Sequence, residues 1–183
     1  MVSFALLGTA LALVFAGWMG WTHFVGAIWS PADKDVVKKM LDMARVGSND
    51  VVYDLGAGDG RIVVAAAERG ATAVGIEIDP LRAALAHTIV SFNNRSKLAR
   101  IRWGNLFDAD LSEATVITLF LMQDTNAALR DRLMDLPAGT RVVSYLWTFK
   151  GWKPIKVDED DRVYLYEAGK GDIRTGKRIR LRI

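Results

Sequence analysis

The sequence predicts a three-layer α/β sandwich, Rossmann-like and with a mostly parallel sheet, preceded by one N-terminal transmembrane helix. Three observations predict it. Strand-like and helix-like stretches alternate from Val51 onward, and a chain that alternates in this way pairs its strands in parallel with helices on both faces. The stretch Val51-Val-Tyr-Asp-Leu-Gly-Ala-Gly-Asp-Gly60 joins an apolar strand to a helix through glycines. Val2 to Trp29 holds no Asp, Glu, Lys or Arg. The expected division is a membrane helix over 1–29 and one soluble domain over 30–183, of which 170–183 is a basic C-terminal strand or tail.

The N-terminal stretch exceeds the roughly 20 apolar residues that span a bilayer core. A signal peptide is its rival, but the basic n-region is missing and the run is longer than a typical 7–15-residue h-region. Trp18, Trp21, His23 and Trp29 gather at its end, as amphipathic rings do near headgroups. Lys34, Lys38, Lys39 and Arg45 follow, and nothing basic precedes it. The positive-inside rule then places a single-pass chain with its soluble domain on the cytoplasmic side.

Ser30-Pro-Ala-Asp opens the next element, with Pro31 suited to a first helical turn and Asp33 and Asp35 to the positive end of the helix dipole. Val36, Val37, Met40, Leu41 and Ala44 recur at helical spacing, so Asp33 to Arg45 is an amphipathic helix closed by Gly47. Val51 to Leu55 is a buried strand, and Arg61 to Arg69 a helix. Ala73 to Asp79 is a second strand. Pro80 to Phe92 is a helix with Leu81, Ala84, Leu85 and Ile89 on one face. Ala99 to Trp103 alternates as a half-buried strand does. Thr115 to Leu121 is the most strand-like run and belongs at the centre. Asp124 or Thr125 caps a helix through Met134. Pro137-Ala-Gly-Thr is a turn, and Arg141 to Trp147 a fifth strand. Ile155 to Val157 and Val163 to Glu167 flank an acidic hairpin turn. Arg178 to Ile183 alternates apolar and basic residues, which suits a last edge strand.

The glycine turn carries the chemistry. Gly56, Gly58 and Gly60 let a ligand approach the main chain, and the following helix aims its free N–H groups at the same place. Glu77 stands 17 residues past Gly60, near the spacing at which an acid meets ribose hydroxyls. A dinucleotide fingerprint is G-x-G-x-x-G; here the spacing is D-x-G-x-G-x-G, beginning at Asp54. A carboxylate at that first position repels a pyrophosphate but suits the ammonium and sulfonium of S-adenosylmethionine. A bare turn and a dinucleotide site are the competing readings.

Asp54-Leu-Gly-Ala-Gly-Asp-Gly60 with Glu77 resembles motif I and the acidic post-I position of the seven-strand, class I methyltransferases. Val37-Lys-Lys-Met-Leu-Asp-Met-Ala-Arg-Val-Gly, Gly-Asp-Gly-Arg-Ile-Val-Val-Ala-Ala-Ala and Leu136-Pro-Ala-Gly-Thr-Arg-Val-Val-Ser144 resemble a narrower group. These are the small archaeal protein lysine methyltransferases and their membrane-anchored mitochondrial relatives. The resemblance implies methyl transfer from S-adenosylmethionine to lysine side chains of protein. It implies cofactor contacts from Asp54, Gly56, Ala57, Gly58, Glu77, Ile78, Asn105 and Leu106. The lead-in Trp29, Ser30 and Pro31 would cover the cofactor or only link membrane to domain. Asn105 stands where the family usually has an acid facing the adenine amino group; its carbonyl can still accept, and Asp108 is a nearby substitute. Leu121-Met-Gln-Asp-Thr-Asn126 follows the central strand at the edge where α/β ligands bind. Gln123, Asp124 and Asn126 are the expected groups beside the methyl, Asp124 orienting the amine or attracting the cation. Tyr145, Phe149 and Trp152 would form a slot for a lysine stem, a lid, or core.

Composition narrows the alternatives. The chain has 183 residues and no cysteine, which excludes disulfides and thiolate chemistry. His23 and His87 are too far apart in sequence to suggest a metal site, and none is expected. Of the net +3, Gly169 to Ile183 supplies six basic residues against one acid. The body is therefore slightly acidic, and nucleic acid is a poor partner for it. The absence of an Asn/Asp-Pro-Pro-aromatic tetrad after Leu121 points the same way. The basic tail could meet anionic lipid or an acidic partner. Methylation of RNA or of a small lipophilic molecule, and a non-catalytic membrane-tethered S-adenosylmethionine-binding module, are the alternatives. No oligomeric state is specified.

Overall fold

Seven strands form one sheet: β1 Val51–Leu55, β2 Thr72–Glu77, β3 Ala99–Trp103, β4 Val116–Leu119, β5 Arg141–Tyr145, β6 Lys156–Asp158 and β7 Val163–Glu167. Their order is β3-β2-β1-β4-β5-β7-β6. The first five are parallel, and β7 runs antiparallel to both β5 and β6. This is seen in a computed structural model that describes residues 31–93 and 96–173, with Leu6, Gly8, Thr9, Ala12, Leu13 and Gly17 before them. The chain divides into two units, Met1–Ser30 and Pro31–Ile183, and the sheet lies in the second. Among the described residues no helix is long and apolar enough to cross a membrane. Most of Val2–Trp29, Ser30 and the expected last strand Arg178–Ile183 lie outside the described residues.

Among the described residues four α-helices cover the sheet: α1 Lys34–Met43, α2 Arg61–Glu68, α3 Pro80–Ser91 and α4 Gln123–Met134. Val37, Met40 and Leu41 of α1, Val63 and Ala66 of α2 and Val90 of α3 pack with Val52, Val116 and Val143 on one face. Leu129 and Leu133 of α4 pack with Ile117, Leu119 and Val142 on the other. Coverage on both faces is why β1, β2 and β4 read as nearly unbroken apolar runs. Each such side chain taken out of water contributes about 1.5–3 kcal/mol.

Several expected boundaries are corrected. Helix α1 ends at Met43, and the left-handed residue that stops it is Arg45 (φ 52), not Gly47. The Val46 N–H donates to the Leu41 carbonyl at 2.9 Å and that of Arg45 to Asp42 at 3.0 Å, a closure set by backbone bonds rather than by glycine. Neither Asp124 nor Thr125 caps α4; the cap is Met122, and Asp124 sits in the first turn, where the dipole favours it. On α3 the face holding Leu81, Ala84, Leu85 and Ile89 is the exposed one, and the helix buries Ala83, Ala86 and Val90. Those smaller side chains let α3 lie close to the sheet. Of the readings open for Phe149 and Trp152 the structure has core: with Tyr166 they form a cluster of tilted and edge-on rings whose centroids lie 4.9–5.1 Å apart. Tyr145 pairs instead with Phe120 at 4.6 Å. The acidic turn is docked rather than only solvated: Lys39 of α1 bridges Asp158 at 3.0 Å and also meets Asp161.

Candidate active site

The strand order reverses direction at β1, whose neighbours β2 and β4 lie on opposite sides of it. Such a switch point leaves a crevice beyond the carboxyl ends, where ligands bind in open α/β sheets. The glycine turn after β1 stands at this point. Gly56, Gly58 and Gly60 all have positive φ, at 90°, 58° and 82°. A Cβ on Gly56 would also come within 2.7 Å of Leu121 across the crevice. The turn is fastened to β2 by the N–H groups of Gly56 and Ala57, both donating to the Ile76 carbonyl at 2.9 Å.

Two buried carboxylates flank the turn. Asp54, the fourth residue of β1, is aligned with Thr118 of β4, whose hydroxyl donates to its Oδ1 at 2.7 Å. Burial pushes the Asp54 carboxyl up to about 7; the Thr118 bond opposes this, and the negative charges of Glu77 and Asp59 add to it. A carboxyl held so close to neutrality in the ligand-free protein is suited to an incoming cation, which would restore its ionised form. Glu77, at the end of β2, accepts from the Gly58 N–H at 2.8 Å through Oε2 and from the Asp79 N–H at 3.0 Å through Oε1. It thereby ties the glycine turn to the start of α3. Each oxygen keeps a further lone pair for a ribose hydroxyl.

The other expected cofactor residues lie along the same edge. Ile78 follows Glu77 and is exposed. Asn105 and Leu106 follow β3, whose end is held to β2 by the Gly104 N–H donating to the Glu77 carbonyl at 2.9 Å. The Asn105 side chain accepts from the Phe107 N–H at 3.1 Å, so it shapes its own turn. Pro31 is exposed. Its neighbour Ala32 is held at the glycine turn, because Arg61, paired with Asp59 at 2.6 Å, donates to the Ala32 carbonyl at 2.5 Å.

On the β4 side, α4 carries the three residues expected beside the methyl group. Gln123 donates to the Thr148 carbonyl at 2.9 Å. Asn126 is fully buried and donates to Ser144 Oγ at 3.0 Å and to the Trp147 carbonyl at 3.2 Å. Arg130 donates to the Gly151 carbonyl at 2.7 Å. These positions, three and four residues apart, share one helix face and together hold the loop after β5. Within that loop Leu146 takes φ 67 in a three-residue turn closed by Trp147 N–H to Tyr145 carbonyl at 2.9 Å. Asp124 is exposed on the first turn. The structure thus brings Asp54, Gly56, Ala57, Gly58, Glu77 and Ile78 together at the glycine turn. It separates Asn126, enclosed in the protein, from Asp124, open to solvent.

Sequence reasoning missed Thr118, Gly75 and Arg61. Thr118 was signalled as a hydroxyl inside an apolar strand. Gly75 was signalled as a glycine within a strand, which marks close backbone approach. A Cβ there would meet Ala57 at 2.6 Å and Val63 at 2.9 Å. Gly75→Ala is therefore expected to cost about 1–3 kcal/mol from overpacking and, by displacing Ala57, to weaken cofactor binding. Thermal melts with and without ligand check both effects.

The model of the ANTKMT methyltransferase domain matches residues 54–156. A protein-lysine N-methyltransferase of Saccharolobus islandicus is 42% identical over 149 residues, covering 76% of this chain and 92% of its own. The mouse adenine nucleotide translocase lysine N-methyltransferase is 33% identical, and the match covers 72% of this chain and 59% of that protein. A crystal structure described as an RNA methyltransferase from Salinibacter ruber, in complex with S-adenosyl-L-homocysteine, is 41% identical with a TM-score of 0.74. It covers 84% of this chain and 100% of its own.

Proposed function

The chain belongs to the ANTKMT methyltransferase family, and on that premise we propose that it transfers a methyl group from S-adenosylmethionine to lysine side chains of protein. The observation that carries this is the pair of buried carboxylates, Asp54 and Glu77, on either side of an open glycine turn at the switch point. Asp54 suits the cationic end of the cofactor, Glu77 the ribose, and the open Gly56 position a close approach of the ligand. Asn105 and Leu106 would border the adenine, with Pro31 and Ile78 at the rim. When bound, the cofactor supplies an electrophilic methyl on a sulfonium.

The chain's own contribution is alignment. Asp124, exposed on the first turn of α4, would draw in the cationic lysine and pass its proton to water. Gln123 and Asn126 would act by positioning, since their amides hold the loop carrying Trp147. The uncharged stretch Val2–Trp29 would tether the body to a membrane as a single-pass helix. The basic residues after it would place the body on the cytoplasmic side.

The Salinibacter ruber protein's description favours a second reading, RNA methylation. One experiment separates the two. The purified full chain is incubated with isotope-labelled S-adenosylmethionine and with soluble and membrane extracts, and the product is treated with protease, with nuclease or by lipid extraction. Label lost only to protease, with methyl-lysine after acid hydrolysis, is the expected result. Label lost to nuclease transfers the assignment to RNA, and label in the organic phase transfers it to a lipophilic acceptor.

A further inference from the structure

Residues 104–110 lie between β3 and the buried Leu111, and they include Asn105 and Leu106. They form no helix or strand, and none of them is buried. Bonds within this loop are sparse. The Asp108 N–H donates to the Asn105 carbonyl at 3.0 Å, and the Phe107 N–H to the Asn105 side chain at 3.1 Å. The rest of its shape comes from another element. Arg132, in the last turn of α4, donates through Nη1 to the Leu106 carbonyl at 2.9 Å and to the Phe107 carbonyl at 2.7 Å. Through Nη2 it donates to the Ala109 carbonyl. Three carbonyls from four consecutive residues therefore converge on one guanidinium. Next to Arg132 on the helix, Leu133 is fully buried, as is Leu129 a turn earlier, so the guanidinium is presented from an anchored support.

Only an arginine suits this place. Its planar fork carries five N–H donors in fixed directions, whereas a lysine donates from a single point. The fork also completes the Phe107 residue, whose N–H is taken by Asn105 and whose carbonyl is taken by Arg132. The Asn105 carbonyl oxygen is thereby fixed in place, with a second lone pair still free to accept. We propose that Arg132 is a positioning residue for the cofactor, and that by shaping this loop it sets how strictly the site selects adenine. The proposal rests on the reading that Asn105 and Leu106 border the adenine. Adenine presents an amino donor at its sixth position, where hypoxanthine presents a carbonyl acceptor. A fixed Asn105 oxygen pairs with the first and opposes the second. A loop free to shift can relieve that opposition, and the distinction between the two bases is then lost.

Arg132→Ala and Arg132→Lys are made in the full chain. Alanine and lysine both favour helix, so α4 keeps its form in either variant. Affinity for S-adenosylhomocysteine is compared with affinity for S-inosylhomocysteine, which carries a 6-oxo group in place of the amino group. The parent should prefer the adenine compound by at least about tenfold, because a site built to accept from an amino group rejects an analogue lacking it. In both variants that preference should fall by at least about threefold, the scale of one misplaced hydrogen bond. Thermal melts of the ligand-free proteins are read alongside. A lowered melting temperature with the preference intact in both variants would overturn the proposal, since Arg132 would then only brace the fold. Parent-like preference in Arg132→Lys would overturn it as well, because the charge alone would suffice. A parent that binds the two compounds equally would remove the adenine-border reading of Asn105 and Leu106, and the proposal with it.

Discussion

At pH 8 the ligand-free Asp54→Asn protein should melt several degrees above the parent, while its affinity for S-adenosylmethionine falls at least about tenfold. The stability half follows from proton linkage. Burial, with the nearby charges of Glu77 and Asp59, raises the folded-state pKa of Asp54 from 3.8 to about 7. Between those values the folded state binds a proton that the unfolded state has released, so stability declines as pH rises through that window. Above pH 7 the full cost is present, on the order of 4–5 kcal/mol at about 1.4 kcal/mol per unit. Asparagine never ionises, and its carbonyl can still accept from the Thr118 hydroxyl. Its amide N–H groups need partners, which returns about 1–3 kcal/mol of the gain. A net of about 1–4 kcal/mol corresponds to several degrees for a chain of this length. At pH 4 to 5, where Asp54 is already protonated, the advantage should vanish or reverse.

The binding half follows from charge. In the proposed site the carboxylate would face the cationic end of the cofactor, so binding should expel its proton. Near pH 6.5, calorimetric titrations in buffers of different ionisation enthalpy should show proton release by the parent and none by Asp54→Asn. A parent and variant with parallel melting curves from pH 4 to 8.5 would remove the charge argument. Equal affinities would remove Asp54 from the site.

Much of this arrangement was legible in the sequence because it is local. The limits of β1 and β3 coincide with the expected Val51–Leu55 and Ala99–Trp103, since an apolar or alternating five-residue run bounded by polar or glycine residues leaves little choice. The glycine turn and the acid after it were read from spacing alone. What was not legible depends on the far side of the sheet. Asn126 looks like any polar residue at a helix start; only the placement of Ser144 and Trp147 opposite it makes it a buried tie. Its Oδ1 finds no hydrogen-bond partner among the described residues, a vacancy that no local rule predicts. Arg45 stops α1 in a left-handed conformation closed by backbone bonds, and the Ala44 carbonyl beside it accepts from Arg141, 97 residues away. Helix α3 is ambiguous for another reason. With apolar residues on both faces its period identifies no inner side, and the smaller residues win the sheet because they permit the closer approach.

Glu77→Gln should be as damaging as Glu77→Ala, although it differs from the parent by one atom in each side chain. The carboxylate accepts two backbone N–H groups, one through each oxygen. A glutamine offers one acceptor, so its NH2 must face either the Gly58 or the Asp79 N–H whichever way the amide turns. One charged hydrogen bond is lost and one buried donor is left opposed, a cost of about 2–4 kcal/mol in stability. The glycine turn loses its anchor to α3 at the same time. Loss of the ribose contact should weaken S-adenosylmethionine by a further 1–3 kcal/mol, about 5- to 150-fold. Two readouts separate these effects. Thermal melts without ligand report the turn. The ratio of affinities for S-adenosylhomocysteine and its 2′-deoxy analogue reports the ribose contact. That ratio should be at least about tenfold in the parent and close to one in either variant. A ratio that survives in Glu77→Ala would show that the acid only braces the turn and that another group holds the ribose. An unchanged melting temperature in Glu77→Gln would instead show that the two backbone bonds contribute little, and that Glu77 is present for the ligand alone.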